Sequence, residues 1–315
     1  MSENNINHFS LTNEWIDSKS KFSKWEIFKR YDGGKHLSRR FKNLLIIHWF
    51  SYIDRVNISN FLNSTHNSEE KSFIHLSFLK VLGNPFISNK SKKTAIVEGI
   101  YNFKTFLIPV KSSCESKAEN FLINLRSWNE NCLSKNWKRN LRRSKRSLDN
   151  FSYKEVNLYK EIENIYDVIQ KNAKLKKYNY PYSLYFLKEL IKKSNDKIFG
   201  IGAYDLNNKL VAIRAFYIVN DTAIDFIAAA LPESLKDYLT YNIAYELIKK
   251  AQNMKLKTYN MGGVDQKLNP GVYNFKKGLG GNLISDGQIF LALSTKSWIP
   301  SFTIKIILKI LSSFI

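Results

Sequence analysis

The chain has 315 residues, of which 44% are hydrophobic and 14% aromatic, so it carries enough apolar material for packed cores and is not generally disordered. Its length predicts two domains. Lysine and arginine (49) outnumber aspartate and glutamate (27), which gives a formal charge of +22. This charge favours anionic partners such as nucleic acid, anionic lipid or phosphorylated substrates, but a composition rich in lysine and asparagine explains the excess equally well.

The placement of histidine and cysteine excludes several kinds of chemistry from the second half. All five histidines lie at or before His75, and neither residue type occurs from Leu133 to Ile315. That half therefore cannot by itself build a Ser-His or Cys-His pair or a histidine-based zinc site. The two cysteines form no disulfide framework. The polar N-terminal segment lacks a signal core, and no run of about 20 apolar residues is present, so we expect neither export nor a membrane span.

The first half is predicted to contain mostly strands after an irregular or briefly helical start of about 35 residues. Its apolar segments are typical of buried or short strands at Phe41–Ile53, Thr94–Val97 and Thr105–Val110, with Ser72–Leu82 of uncertain type. Ser116 is a candidate N-cap. It predicts a helix over Lys117–Glu130, with Phe121, Leu125 and Trp128 on one face.

The second half alternates helical and strand-like patterns. The predicted helices are Lys135–Leu148, Lys160–Lys174, Leu184–Lys193 and Leu235–Asn253. The predicted strands are Phe151–Val156, Lys197–Tyr204, Leu210–Val219, Thr222–Ala230 and Lys257–Met261. Three antiparallel strands, a helix and a returning strand indicate an α/β sheet with one parallel pair, and ligands bind such sheets at the carboxyl ends of strands. Gly262, Gly263 and Asp265 are expected there.

The segment Tyr259–Gly281 (YNMGGVDQKLNPGVYNFKKGLGG) is the most informative in the chain. It holds six of the 13 glycines together with the adjacent lysines Lys276 and Lys277. Glycines permit sharp turns or the close approach of another group, and the lysines indicate that this group is anionic. We therefore expect the substrate site in this segment.

Three passages resemble the FemABX-type aminoacyltransferases of the wider GNAT acyltransferase superfamily. They are NWKRNLRRSKR (Asn136–Arg146), AIDFIAAALPESLKDYLTYNIAYELI (Ala223–Ile248) and the glycine-rich segment itself. The resemblance implies an α/β (α+β) fold of two tandem GNAT-like domains, with mixed, mostly antiparallel sheets flanked by helices. The expected boundaries are 1–130 for a degenerate N-terminal domain, 131–296 for the acyltransferase domain and 297–315 for an apolar tail.

The resemblance also implies the activity: transfer of an aminoacyl group from aminoacyl-tRNA to an amine of a lipid-linked or nucleotide-linked peptidoglycan precursor, without metal or cofactor. An acyl-CoA-dependent N-acyltransferase acting on a surface sugar or amino acid is the alternative within the same class. A non-catalytic basic protein that binds RNA or membrane is the alternative from another class. Leu231–Leu239, where GNAT enzymes carry a glycine-containing pyrophosphate loop, lacks glycine and contains Glu233 and Asp237, which counts against CoA.

The resemblance and the residue chemistry together predict the site. Lys276 is expected to stabilise the oxyanion or a phosphate, and Asp265 to bind or deprotonate the attacking ammonium. The alternatives are a solvated loop lysine and an Asx turn. The expected substrate-binding residues are Phe275, Gly262, Gly263, Arg214, Tyr182 and Gly280. For Gly280, a purely structural role is an equal alternative. For Tyr182 the equal alternative is a plain packing role, and for Gly262 and Gly263 it is a simple β-turn.

Arg214 and Asp225 lie inside apolar strands. A tight turn at Asn220-Asp221 would place Arg214 opposite Ile227 and diagonal to Asp225. Because buried charges need partners, the pair predicts an internal salt bridge; binding of a substrate phosphate by Arg214 is the other interpretation.

The helix Lys135–Arg146 is strongly basic. We expect Lys138, Arg139, Arg142 and Arg143 to bind tRNA or another phosphate, although a solvated face is an equal alternative. The apolar tail Ile299–Ile315 is predicted to lie on a membrane or to dock as a helix. Together these features predict a cytoplasmic protein that can contact the inner face of the membrane.

Overall fold

The computed structural model describes a defined part of the chain. The described residues are 12–22, 26–29, 35–41, 45–54, 74–82, 95–98, 103–109, 119–264, 266–267, 269–285, 288–296, 303 and 306. Asp265 and almost all of the tail Ile299–Ile315 fall outside them. Within these ranges, no helix is both long enough and apolar enough to cross a bilayer.

The described strands are numbered in chain order. They are β1 (Glu26–Lys29), β2 (Lys35–Phe41), β3 (Leu45–Asp54), β4 (Ile74–Leu82), β5 (Ala95–Glu98), β6 (Phe103–Pro109), β7 (Glu119–Asn124), β8 (Phe151–Glu155), β9 (Ile198–Asp205), β10 (Leu210–Val219), β11 (Thr222–Ala230), β12 (Thr258–Val264), β13 (Asn282–Ser285) and β14 (Gln288–Lys296). The described α-helices are α1 (Asn13–Lys21), α2 (Lys135–Arg146), α3 (Ile162–Leu175), α4 (Leu184–Lys193), α5 (Pro232–Lys236), α6 (Leu239–Asn253) and α7 (Pro270–Gly278).

The chain divides into two compact units, each built on a seven-stranded mixed sheet. The sheet of the first unit has the order β1-β2-β3-β4-β14-β6-β5, and that of the second has the order β13-β7-β12-β11-β10-β9-β8. In the first sheet β1, β2 and β3 are antiparallel neighbours and β3 is parallel to β4. In the second, β9, β10 and β11 are antiparallel neighbours and β11 is parallel to β12. This shared connectivity confirms the α/β class with mixed, mostly antiparallel sheets.

The unit boundaries differ from the expected domain boundaries at two strands. β7 precedes the expected boundary at residue 130 but lies in the sheet of the second unit. β14 lies within the expected range 131–296 but is an interior strand of the first sheet. The division therefore falls at residues 119–120 and 284–285, and residues 13–18 of α1 also belong to the second unit.

Short-range signals explain most elements of the second unit. Ser134 caps α2 by accepting a hydrogen bond from the Trp137 backbone N–H, and Ser183 caps α4 in the same way. The predicted turn joins β10 and β11, with Asn220 at φ +54° and Val219 paired with Thr222. The predicted helices and strands of residues 135–264 are present with small shifts at their ends, except that one helix is divided.

Two predicted helices are corrected by the structure. The expected helix Lys117–Glu130 is wrong, because the segment forms strand β7 followed by turns. Phe121 and Ile123 are buried on one face of that strand, so an alternating pattern decides its structure. The expected helix Leu235–Asn253 is divided into α5 and α6, because Tyr238 adopts a left-handed conformation with φ +59° between them.

The core of the second unit lies under α2 and α6. Trp137, Phe216, Tyr259 and Leu247 are each 2% exposed or less and belong to one continuous apolar cluster. Burial on this scale stabilises each large side chain by roughly 1.5–3 kcal/mol. This core fixes the strands β10, β11 and β12 that support the candidate site.

Candidate functional site

The candidate site lies where β11 and β12 separate. Their parallel ladder covers Thr222–Ile224 and Thr258–Asn260, whereas β11 continues to Ala230 and β12 to Val264. We call the two continuing segments, 225–230 and 261–264, the fork. Gly263 and Ala228, both in the fork, are exposed. Backbone polar groups in such a gap require water or a guest as partners.

Helix α7 carries Lys276 to the fork, and its own ends are well defined. Asn269 accepts a hydrogen bond from the Val272 N–H (3.2 Å), and Pro270 occupies the first turn. At the C-terminal end, the indole N–H groups of Trp137 and Trp128 donate to the carbonyls of Phe275 (3.1 Å) and Leu279 (2.9 Å). Two tryptophans of the core therefore hold the last turn of α7, and with it Lys276, in place.

The Lys276 ammonium lies against the backbone of the fork. It donates to the carbonyl of Gly263 (2.8 Å) and to that of Gly262 (3.2 Å), and the residue is only 8% exposed. Burial lowers the pKa of Lys276 from its ordinary 10.5 to about 8; the charge of Asp225 opposes this and that of Arg214 adds to it. The interpretation of Lys276 as a solvated loop lysine is therefore wrong.

Arg214 on β10 and Asp225, the first residue of the fork, form the predicted salt bridge. The Arg214 Nε donates to Asp225 Oδ1 at 3.0 Å, and Nη2 pairs with Oδ2, so the contact is bidentate. The Tyr259 hydroxyl also donates to Asp225 Oδ1, at 2.9 Å. Burial and the neighbouring carboxylate raise the pKa of Tyr259 well above its ordinary value, so this phenol stays neutral.

One detail of the predicted register is corrected. Phe216 pairs with Asp225 as expected, but Arg214 pairs with Ala228 rather than Ile227. A β-bulge between Ala215 and Phe216 in this ladder accounts for the extra residue on β11. Bulges of this kind re-aim side chains, and here the ion pair is kept.

The Phe275 ring forms an aromatic layer over the ion pair. Its centroid lies 5.3 Å from the Arg214 guanidinium carbon, 5.6 Å from the Trp137 ring and 5.0 Å from the Tyr241 ring. Phe275 and Arg214 therefore lie together with Lys276 in the structure. Other residues of the protein cover most of the Arg214 side chain, which is only 12% exposed.

The predicted glycines have different surroundings. Gly262 adopts φ +75°, which favours glycine, and its N–H is bound by the Asn260 side chain (2.8 Å). Gly280 has φ +91°, and a Cβ placed on it would lie 2.7 Å from the Cys132 carbonyl oxygen. The close approach at Gly280 is thus to the chain's own backbone, which supplies a structural reason for this glycine.

Two predicted site residues outside helix α2 remain, Asp265 and Tyr182. Asp265 is not among the described residues. The Tyr182 ring stacks on Phe186 of α4, with centroids 4.9 Å apart, and burial raises the pKa of Tyr182. This contact agrees with the packing interpretation of Tyr182.

The basic helix α2 presents its cations outward. Arg139, Arg142 and Arg143 are exposed and Lys138 is half-buried. Arg143 donates to the Tyr238 hydroxyl at 2.9 Å and lies over its ring. The chain thus places an exposed cationic face beside the segment between β11 and α6.

The segment between β11 and α6 contains a short helix and acidic residues. Residues 232–236 form the short helix α5, and Asp237 accepts a hydrogen bond from Ser147 at the end of α2 (3.2 Å). Tyr238, in its left-handed conformation, precedes α6 without a side-chain cap. The glycine-free sequence is therefore used for contacts with α2.

A cavity of about 340 Å³ lies in another part of the second unit. It is lined by residues near the end of β8 and the start of β9, among them Val156, Leu158 and Phe199. None of the predicted site residues lines it. The candidate site therefore rests on the fork and its charges, and not on this cavity.

Sequence reasoning missed the contributions of Tyr259, Trp128 and Trp137. Tyr259 follows the register of β12 and is identifiable only once Asp225 is known to lie opposite its hydroxyl. The two indole contacts join positions 138 and 151 residues apart in sequence. The local signal for Tyr259 is its position three residues before the Gly262-Gly263 pair.

Comparisons with known proteins agree with this geometry. The FemAB family model matches residues 192–285, which include the whole fork and α7. The solved structure of FemX is similar over 90% of this chain and 92% of its own, with a TM-score of 0.61 and 10% identity. A conserved protein of unknown function from Bacteroides thetaiotaomicron VPI-5482 is similar over 91% of each chain, with a TM-score of 0.54 and 10% identity.

No curated protein matches the sequence. At 10% identity the two structural likenesses show the fold alone, and the likeness in sequence to the FemAB family is confined to residues 192–285. This chain is therefore similar to the FemAB family in that segment and to FemX in its fold.

Proposed function

We propose that this protein is an aminoacyltransferase that joins an aminoacyl group to an amine of a peptidoglycan precursor. The FemAB family match supports an amide-forming acyltransferase. The observation that carries the proposal is the Lys276 ammonium, which two backbone carbonyls hold at the open fork and whose pKa burial lowers to about 8.

The chemistry follows from this placement. The acceptor amine attacks the carbonyl carbon of an activated ester, the carbonyl oxygen becomes an oxyanion, and the ester oxygen leaves with a proton. A buried cation next to the developing oxyanion stabilises it far more than one in water. Lys276 is the proposed group, and Asp265 is the proposed base for the attacking ammonium. No covalent nucleophile, metal or cofactor is required.

The fork is the proposed position of the acyl group. A separated strand pair offers backbone donors and acceptors to an extended guest, as sheet edges do. The exposed Gly263 leaves room for close approach from the β12 side. Orientation of the two reactants in this gap is the main contribution that we assign to the protein.

Aminoacyl-tRNA is the proposed donor. A pyrophosphate would meet the acidic Asp237 and a segment without glycine between β11 and α6, which disfavours CoA. The exposed arginines of α2, next to the same segment, suit the phosphates of an acceptor stem. The donor and a nucleotide-linked precursor would both be met in the cytoplasm.

The test is a transfer assay with the purified protein, tRNA charged with labelled amino acids, and UDP-linked or lipid-linked muropeptide. We expect a mass increase of one aminoacyl residue on the precursor. Lys276→Met is expected to lower kcat by about 10²-fold or more, the range found for a lost oxyanion donor. Transfer from acetyl-CoA but not from charged tRNA would overturn the donor, and transfer from neither would overturn the activity.

The chain offers a matched control at the next position. Lys277 is exposed, and its ammonium lies 5.9 Å from the Tyr273 ring. Lys277→Met removes the same charge from the same helix. Equal losses in the Lys276 and Lys277 variants would show that overall charge, and not the fork, supports transfer.

A further inference from the structure

We propose that Asn120 binds the amine of the acceptor, on the side of β12 opposite to Lys276. The inference rests on the proposed function, in which an amine and an acyl group meet at the fork. It deepens that function by assigning the two reactants to different sides of one strand. Asn120 lies outside the segments in which the sequence predicts site residues.

Strand β7 brings Asn120 to the open end of β12. The two strands are neighbours in the second sheet, and at their other ends the Leu125 N–H donates to the Lys257 carbonyl at 2.9 Å. A Cβ placed on Gly263 would lie 3.7 Å from Asn120 Oδ1. Apart from the chain neighbours of Gly263, it would approach no other described residue within 4 Å. Because Gly263 is exposed, the Asn120 carboxamide borders open space beside the fork.

Lys276 and Asn120 lie on different sides of β12. Successive side chains of a strand point to opposite faces of the sheet. Phe121, the residue after Asn120, packs on Tyr273 of α7 with ring centroids 5.4 Å apart, so Asn120 points away from α7. Lys276 is carried by α7, and its ammonium lies 3.9 Å from the position of a Cβ on Gly262. A guest in the fork can therefore be met by a cation from one side and by a carboxamide from the other.

The Asn120 carboxamide is available to such a guest. The residue is 7% exposed, and its side chain makes no hydrogen bond to the part of the chain that the structure describes. Buried amides in native proteins nearly always have a hydrogen-bond partner. Asn140 and Asn242 are also buried, but their side-chain oxygens are fully enclosed, so a guest cannot reach them. Asn120 differs from both because it borders the exposed Gly263.

The chemistry of the reaction assigns an N–H of the attacking amine to Asn120. The acyl oxygen is assigned to Lys276, since this oxygen becomes the oxyanion and is stabilised by a cation. The amine attacks the carbonyl carbon from outside the plane of the acyl group, so it can approach from the other side of β12. The Asn120 atom beside Gly263 is an oxygen, which accepts an N–H and leaves the nitrogen lone pair free for attack.

The test is a double-mutant cycle between protein and acceptor, read by calorimetric binding without donor. The ligands are a UDP-linked muropentapeptide that contains lysine and the same molecule with norleucine, which keeps the carbon chain but lacks the amine. We expect wild type to prefer the lysine ligand and Asn120→Leu to reduce this preference by about 3- to 10-fold, the range of one hydrogen bond. The affinity for charged tRNA should not change.

Two further variants separate binding from folding. Asn120→Asp has nearly the same shape and adds a negative charge, so the preference for the lysine ligand should rise. If Asn120→Leu does not fold, an unchanged preference in Asn120→Asp still refutes the role of Asn120. Asn242→Leu makes the matched replacement at a residue that is 6% exposed, and it should leave the preference unchanged. Equal losses in Asn120→Leu and Asn242→Leu would show a general effect on the fold and overturn the inference.

The remaining outcomes distinguish the inference from the proposed function. Equal preferences in wild type, Asn120→Leu and Asn120→Asp would overturn the inference and leave the transferase proposal intact. A loss of affinity for charged tRNA in Asn120→Leu would also overturn it, because the carboxamide would then bind the donor. A wild-type protein that binds neither muropeptide would instead overturn the proposed acceptor, and the inference with it.

Discussion

Replacement of Lys276 by methionine removes a buried charge and keeps most of the side-chain volume. The pKa of Lys276 is about 8 in the folded protein and 10.5 as its ordinary value, a difference of 10.5 − 8 = 2.5 units. Because the folded-state pKa is lowered, the unfolded chain binds the proton more tightly. The charged lysine therefore opposes folding below pH 8, and this penalty disappears as the pH rises to 10.5.

The size of this free-energy penalty follows from the difference between the two pKa values of Lys276. Each pKa unit corresponds to about 1.4 kcal/mol, so 2.5 units correspond to about 3 kcal/mol of unfolding free energy. The loss of the two hydrogen bonds to Gly262 and Gly263 also lowers the stability of the variant. The part of this loss that is independent of pH shifts the whole curve of the variant without changing its slope.

The assay compares urea unfolding of wild type and Lys276→Met at several pH values from 7 to 10.5, followed by the fluorescence of the buried tryptophans of the second unit. All other titrating groups contribute equally to both proteins and cancel in the difference. We expect wild type to gain about 3 kcal/mol relative to the variant over this range. A difference that stays constant, or that changes in the opposite direction, would refute the buried-ammonium argument.

Three further predictions concern packing and charge. Gly280→Ala should destabilise the protein by about 2 kcal/mol or more in urea unfolding, because φ is +91° and the new Cβ would meet the Cys132 carbonyl. Gly271→Ala should be neutral or stabilising, because a Cβ in this exposed helical turn would make only an ordinary contact with Asn269 Oδ1 at 3.9 Å. Trp15→Ala should cost about 3 kcal/mol by the same measurement, since the indole is 2% exposed and packs on α4. Arg139→Glu should weaken binding of charged tRNA and flatten its salt dependence in a filter-binding titration; an unchanged slope would exclude α2 as the phosphate site.

Local sequence signals are enough to predict the Arg214–Asp225 ion pair of the site. The Asn220–Asp221 turn fixes the β10–β11 register near the loop, and both charged residues lie within a few positions of it. The bulge at Ala215 is not visible in the sequence, because no glycine or proline marks it. The turn alone therefore does not predict that Arg214 pairs with Ala228.

Long-range packing decides the features that the sequence could not predict. Residues 119–124 satisfy a helical as well as an alternating pattern, and the choice depends on β12, which lies more than 130 residues further along the chain. The acidity of Lys276 depends on its burial and on the charges of Asp225 on β11 and Arg214 on β10. Its position in a glycine-rich segment predicts importance, but not burial.

The placement of β14 has a consequence for biosynthesis. Gln288 pairs with Val81 across 207 residues, and the main part of the second unit, residues 120–284, is translated in between. On the ribosome the second unit can complete its sheet while β4 and β6 still lack the strand that separates them. Two unprotected strand edges thus persist through most of synthesis, which makes the first sheet the slower to form and the one that most needs a chaperone.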